Sequence, residues 1–124
     1  MQLKKIDGTY AVVQLAADAS LPDWFDGPGL TAMVRSGDEL TLVCDEARVP
    51  QNVTAQAGWA CFRSIGPFGF DEAGVVASLI SPMSAQNIGV FVLCTFDGEH
   101  ILCPASDFVK AKDILLAEGH SFVE

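Results

Sequence analysis

The side chains able to do chemistry in this 124-residue chain are few, and their spacing argues against catalysis. Cys44, Cys61, Cys94 and Cys103 each sit in an apolar, strand-like run (TLVCDE, WACFRS, FVLCTF, HILCP). None forms a C-x-x-C pair, and His100 and His120 show no ligand spacing around them, so neither a zinc site nor a redox dithiol is expected. The thiols read as reduced, buried small hydrophobes. No G-x-S-x-G elbow, phosphate-binding loop or dinucleotide fingerprint occurs. The adjacent carboxylates Asp45-Glu46 and Asp71-Glu72 point in different directions if extended. Each pair fits a helix start, where an anion offsets the macrodipole by about 0.3–1 kcal/mol. His100 reads as a hairpin-surface residue or a ligand contact, and His120 as a solvated residue at a helix exit. Trp24 and Trp59 read as core or half-core. No cofactor is implied.

The elements that must position these residues follow from pattern. Sixteen acidic residues against seven basic ones give a charge of −9, without the basic stripe that nucleic acid or an anionic membrane surface requires. No apolar run approaches the ~18 residues of a membrane span. The opening MQLKKIDGTYAVVQLAADA imitates a signal peptide only faintly. Asp7 and Gly8 interrupt it, so it reads as a turn followed by a strand at Tyr10–Ala16, and the expected location is the cytoplasm. Leu21–Gly29 is dense in Pro, Gly and Asp and holds a helical turn or two at most. TAMVRS and ELTLVC flank Gly37-Asp38 as a β-hairpin. A short helix can start at Asp45 and end before Pro50.

Trp59–Ile65 opens a second series. A Gly/Pro/Phe loop at Gly66–Phe70 leads to Asp71 as the expected N-cap of a helix with Val75, Val76, Leu79, Ile80 and Met83 on one stripe; Pro82, near its C-terminal end, should kink it or end its regular hydrogen bonding. Ile88–Phe96 and Glu99–Cys103 flank Asp97-Gly98 as a second hairpin. A two-residue turn there would set Cys94 opposite Ile101 and Val92 opposite Cys103, with Phe91, Leu93 and Leu102 on the other face. Both faces are apolar, so a half-domain or a partner subunit should cover the one that helices leave bare. Ser106 can cap a last helix through Ala117, stopped by Gly119, with a short strand at Ser121–Val123. Glu39/Glu99, Leu42/Leu102 and Val49/Val109 repeat at a constant offset. The fold expected is α+β: a ferredoxin-like βαββαβ unit at residues 59–124, preceded by an abbreviated relative at residues 1–58, antiparallel sheets with helices on one face.

The ordered set Gly66-Pro67, Gly74, Ala77-Ser78-Leu79, Pro82-Met83, Ile88, Val90-Phe91, Thr95, Asp97 and Ile101-Leu102 resembles an ACT domain. In the first half, Tyr10–Val13, Leu21–Trp24 and Glu39–Cys44 match the same family, closest to the small two-part ACT proteins related to aspartate kinase C-terminal modules and cytosolic arginine sensors. The resemblance implies regulation: a small-molecule ligand, usually an amino acid, bound where the loop before the first helix meets a neighbouring ACT unit. The implied contacts are Gly69, Phe70, Asp71, Glu72, Gly74 and Val75, with Asn87 and Ile88 on the facing side. It also implies a homodimer through ACT units and a regulated protein partner. Glu99-His100 stands where the family has an acidic-aromatic pair. Asp71 and Glu72 suit an ammonium or cationic side chain better than a carboxylate. The alternative is a structural protein–protein interaction module with a vestigial site.

Overall fold

The computed structural model describes residues 1–123. Seven strands and two helices occur in the order β1(Gln2–Leu15), β2(Ala32–Arg35), β3(Leu40–Asp45), β4(Ala55–Ser64), α1(Val75–Ala85), β5(Phe91–Cys94), β6(Glu99–Pro104), α2(Phe108–Ala117) and β7(Ser121–Val123). The chain divides into two compact units, Met1–Ile6 with everything from Ala60 onward, and Asp7–Trp59. β1 and β4 contribute residues to both.

The first unit carries the βαββαβ order β4-α1-β5-β6-α2-β7, as the pattern of strands and apolar stripes implied. Both helices cover one sheet face. Leu79 and Met83 of α1 and Ala111 and Leu115 of α2 pack with Leu3, Phe62, Ile101 and Cys103 in one core. Fully burying side chains of this size contributes about 1.5–3 kcal/mol each. The expected turn at Asp7-Gly8 is absent, because β1 runs through it from Gln2. β7 pairs in parallel with that early segment, Leu3 opposite Phe122, so β1 lies between β7 and β4. The partner of this segment is more than a hundred residues away, which no local pattern reveals.

The second unit has the strand order β2-β3-β1-β4 and no α-helix. Ala11, Val13, Leu40 and Leu42 form its core, closed by partly buried Trp24, Phe25, Val49 and Val53 from its loops. Its short helix is a single 3₁₀ turn at Glu46–Arg48, capped by Asp45, whose Oδ1 accepts from Ala47 N at 2.9 Å.

Two helix caps are corrected. Asp71 does not cap α1. The N-cap is Gly74 at φ +84°, a conformation that glycine adopts without a Cβ penalty, so the loop runs three residues further. The anion-at-the-dipole reading of Asp71-Glu72 falls with it, since the first turn of α1 holds no acidic residue. Pro82 lies inside α1, which continues to Ala85, and it interrupts the regular hydrogen bonding there, as expected. The Ser78 carbonyl, which Pro82 cannot reach for want of an N–H, lies 3.2 Å from His120 Nε2. His120 is therefore half-buried and hydrogen-bonded rather than solvated, with the proton on Nε2. Ser106 does not cap α2, because a 3₁₀ turn at Ala105–Asp107 intervenes.

Of the cysteines, Cys44, Cys61 and Cys103 are buried and free, whereas Cys94 is exposed near the end of a short strand. Burial pushes the Cys61 thiol up to about 12 and Cys103 up to about 11. Trp24 and Trp59 are both half-buried.

Candidate functional site

β4 ends at Ser64 and α1 begins at Val75, so the intervening loop must cross the end of the sheet, where β5 turns into β6. Pairing in that hairpin is Phe91↔Leu102, Val92↔Ile101, Leu93↔His100 and Cys94↔Glu99. The assignment of residues to faces matches the sequence reading, but the register is two residues off it. The turn is Thr95–Gly98, closed by Thr95 N donating to the Gly98 carbonyl at 2.7 Å. The cause is tertiary. Ser64 Oγ donates to Glu99 Oε2 at 2.8 Å and accepts from Glu99 N at 3.0 Å, which fixes Glu99 as a strand residue. Gly98 is drawn so close that a Cβ on it would stand 2.7 Å from Ser64 Oγ.

This clamp brings the loop and the turn together. The rings of Phe70 and Phe96 meet edge to face, centroids 4.8 Å apart, although the residues are 79% and 78% exposed. Gly69, Asp71, Glu72 and Gly74 share the exposed loop, Glu72 N donating to the Gly69 carbonyl at 3.0 Å. Asp97 adds a carboxylate on the turn, and neither segment carries a Lys or Arg. Aromatic faces and carboxylates attract cations, so the surface suits an ammonium or guanidinium.

The remaining sequence-derived site residues do not converge here. Val75 is buried at the start of α1. Asn87 (φ +61°) ends α1 in a left-handed conformation, and Ile88 donates its N–H to the Met83 carbonyl at 3.1 Å while packing in the core. Both lie a helix length, about 16 Å, from the Gly69–Gly74 loop. Ser64, Phe96 and Glu99 escaped the sequence reading. Only the mismatch at Glu99-His100 signalled them, because Ser64 and Glu99 meet through the fold across 35 residues.

His100 is buried, not a surface residue. Burial first and the Arg63 charge second hold its imidazole below the ordinary range, with Glu99 opposing them. Two shallow depressions lie elsewhere. One of about 460 Å³ is lined by Ser78, Pro82, Glu118 and His120, and one of about 240 Å³ by Gln14, Glu39, Thr41 and Gln56. Among the described residues no three His, Cys, Asp or Glu side chains group as a metal ion needs, and no helix is long and apolar enough to cross a membrane.

The family model for the ACT domain matches residues 54–117, which contain the loop, α1 and the hairpin. The chain belongs to the ACT-domain family. A separate N-terminal-domain model matches residues 8–52. This ACT protein is 33% identical over 66 residues to the human cytosolic arginine sensor for mTORC1 subunit 1, and 36% identical to the mouse protein. Each match covers 51% of the chain and 20% of the relative, so the chain spans about a fifth of those proteins' length. A solved structure of a protein from Agrobacterium tumefaciens is 45% identical with a TM-score of 0.93, covering 98% of this chain and 91% of that one. The aspartate kinase of Clostridium acetobutylicum shares the fold at 13% identity and a TM-score of 0.64, covering 92% of this chain and 33% of that one.

Proposed function

We propose that this ACT protein is a non-catalytic regulatory module that binds a small molecule, an amino acid, at the Gly69–Gly74 loop, acting in the cytoplasm as a homodimer through its ACT units and reporting to a regulated protein partner. The observation that carries the reading is the exposed loop, within the ACT-matched span, held against the Thr95–Gly98 turn by the Ser64–Glu99 clamp. Gly74 supports it, since a Cβ there would meet nothing within 4 Å and the backbone stands open to a ligand. Asp71, Glu72 and the phenyl pair favour a cationic amino acid, and the arginine sensors matched above bear that ligand in their name. Arginine and lysine therefore head the screen. Asn87 and Ile88 are assigned to the ligand only as residues of a second copy, because their own copy holds them at the far end of α1.

The test is thermal shift against the twenty amino acids, with light scattering for the dimer. A ligand at 100 times its Kd adds about 2.7 kcal/mol of stability. Absence of any shift at millimolar concentration overturns the reading. It would leave the second one, an interaction module with a vestigial site, which the exposure of Phe70 and Phe96 favours.

A further inference from the structure

The two sides of the β4–β6 pair differ in how their polar groups are satisfied. On the helix side, Ser64 and Glu99 satisfy each other. One residue along, strand alternation sends Arg63 and His100 to the opposite face. His100 is 9% exposed, and its Nδ1 has no partner among the described residues. A buried, unpaired polar atom is disfavoured and calls for a partner.

Arg63 is unlike the other two arginines. Arg35 donates both terminal nitrogens to the Ala17 and Ala19 carbonyls, and Arg48 donates both to the Pro28 and Phe25 carbonyls. Half-buried Arg63 commits only Nε, to the Ser64 carbonyl at 3.0 Å, and its two terminal nitrogens meet no acceptor among the described residues. The acidic side chain on the neighbouring strand, Glu99, is turned to the other face and bound by Ser64. The guanidinium thus keeps a planar two-donor fork, the shape that takes a carboxylate bidentately, with an imidazole beside it.

We infer that Arg63 and His100 form the carboxylate-recognising part of a small-molecule site, the anion-binding counterpart of the acidic, aromatic loop. The inference rests on the amino-acid reading above: the ligand's carboxylate accepts from the Arg63 fork and from His100 Nδ1–H. A carboxylate there satisfies the orphaned nitrogen and offsets the Arg63 charge that disfavours protonation of His100.

The experiment follows the imidazole resonances of His100 by NMR in the full chain, using acetate as the probe and His120 as internal control. Acetate is expected to shift His100 and raise its pKa while leaving His120 in place. Arg63→Gln should weaken that response about tenfold or more, and Arg63→Lys should fall between, keeping charge without the fork. An unmoved His100, or an equal response in Arg63→Gln protein with an unchanged melting curve, overturns the inference. A second arm compares L-arginine with its methyl ester. If arginine binds, blocking its carboxylate should weaken wild type about tenfold or more and leave Arg63→Gln almost indifferent. An equal ester penalty in both proteins overturns this inference and leaves the amino-acid reading standing. No amino acid binding together with an Arg63-dependent acetate response does the reverse.

Discussion

The two hairpins are alike in pattern, with Glu39/Glu99 and Leu42/Leu102 at a constant offset, yet they turn differently. In the first, Arg35 pairs with Leu40 and the turn centres on Gly37-Asp38, where local turn chemistry puts it. Ser36 Oγ accepts from the N–H groups of Asp38 and Glu39, so the turn satisfies itself. In the second, the centre moves one residue back to Phe96-Asp97, because Ser64 holds Glu99 in the ladder. A turn that answers only to its own residues obeys the local rule. A turn held from outside breaks it, and such breaks concentrate where a structure positions a site.

The sharpest way to break this contrast is at the glycines. Gly98→Ala should destabilise by about 1–3 kcal/mol, since its Cβ would collide with Ser64 Oγ, whereas Gly37→Ala, facing open space, should fall within about 0.5 kcal/mol of wild type. Urea denaturation of both variants reads the difference, and equal effects would remove the idea that the second turn is externally clamped. Next comes the clamp itself. Ser64→Ala should lose about 1–3 kcal/mol by stranding part-buried Glu99 groups, against about 0.5 kcal/mol or less for Ser36→Ala, whose N–H partners turn to water.

The strand cysteines sharpen the comparison chemically. Cys94 beside the second turn is exposed, while Cys44 on the first hairpin is buried with its thiol pushed up by that burial. Iodoacetamide at neutral pH should add one group per native chain, at Cys94. Modification of Cys44, Cys61 or Cys103 at a comparable rate in mass spectrometry would contradict their burial. The smallest expected effect is on pH. His100 occupies the position of Leu40 in the first hairpin, and its folded-state pKa is lowered. The unfolded chain then binds the proton first, so the His100 contribution is complete above about pH 6.5 and is lost as pH falls toward the folded value. His100→Leu should flatten that part of the stability profile below pH 6.5, and an unchanged slope would count against it.

Much of the fold was legible because it is written locally. The stripe Val75, Leu79, Met83 and the paired apolar runs around the two turns mark their elements by periodicity alone, and Gly119 at φ +94° stops α2 as expected. The parts that were not legible depend on distant partners. Residues 2–4 become a strand because residues 121–123 and the end of β4 lie on either side of them, and Asp71 loses its capping role because Gly74 delays the helix. The loop half of the candidate site came from the ACT resemblance, carried over residue by residue. Ser64, Phe96 and the Arg63–His100 pair could not be read from the sequence, since only strand order brings them together.

The gap that Pro82 opens in α1 has a consequence for the order of events during synthesis. Among the described residues, the side chain that meets the Ser78 carbonyl is that of His120, 42 positions downstream. A nascent chain that has exposed α1 but not yet residue 120 holds that helix with its middle carbonyl facing water. Domains mature as units as they emerge, at roughly 5–20 residues per second. The Ser78 carbonyl should therefore gain its partner only seconds after the helix itself has formed, and an isotope-edited infrared band of that carbonyl should stay at its water-exposed frequency in chains arrested on the ribosome before residue 120.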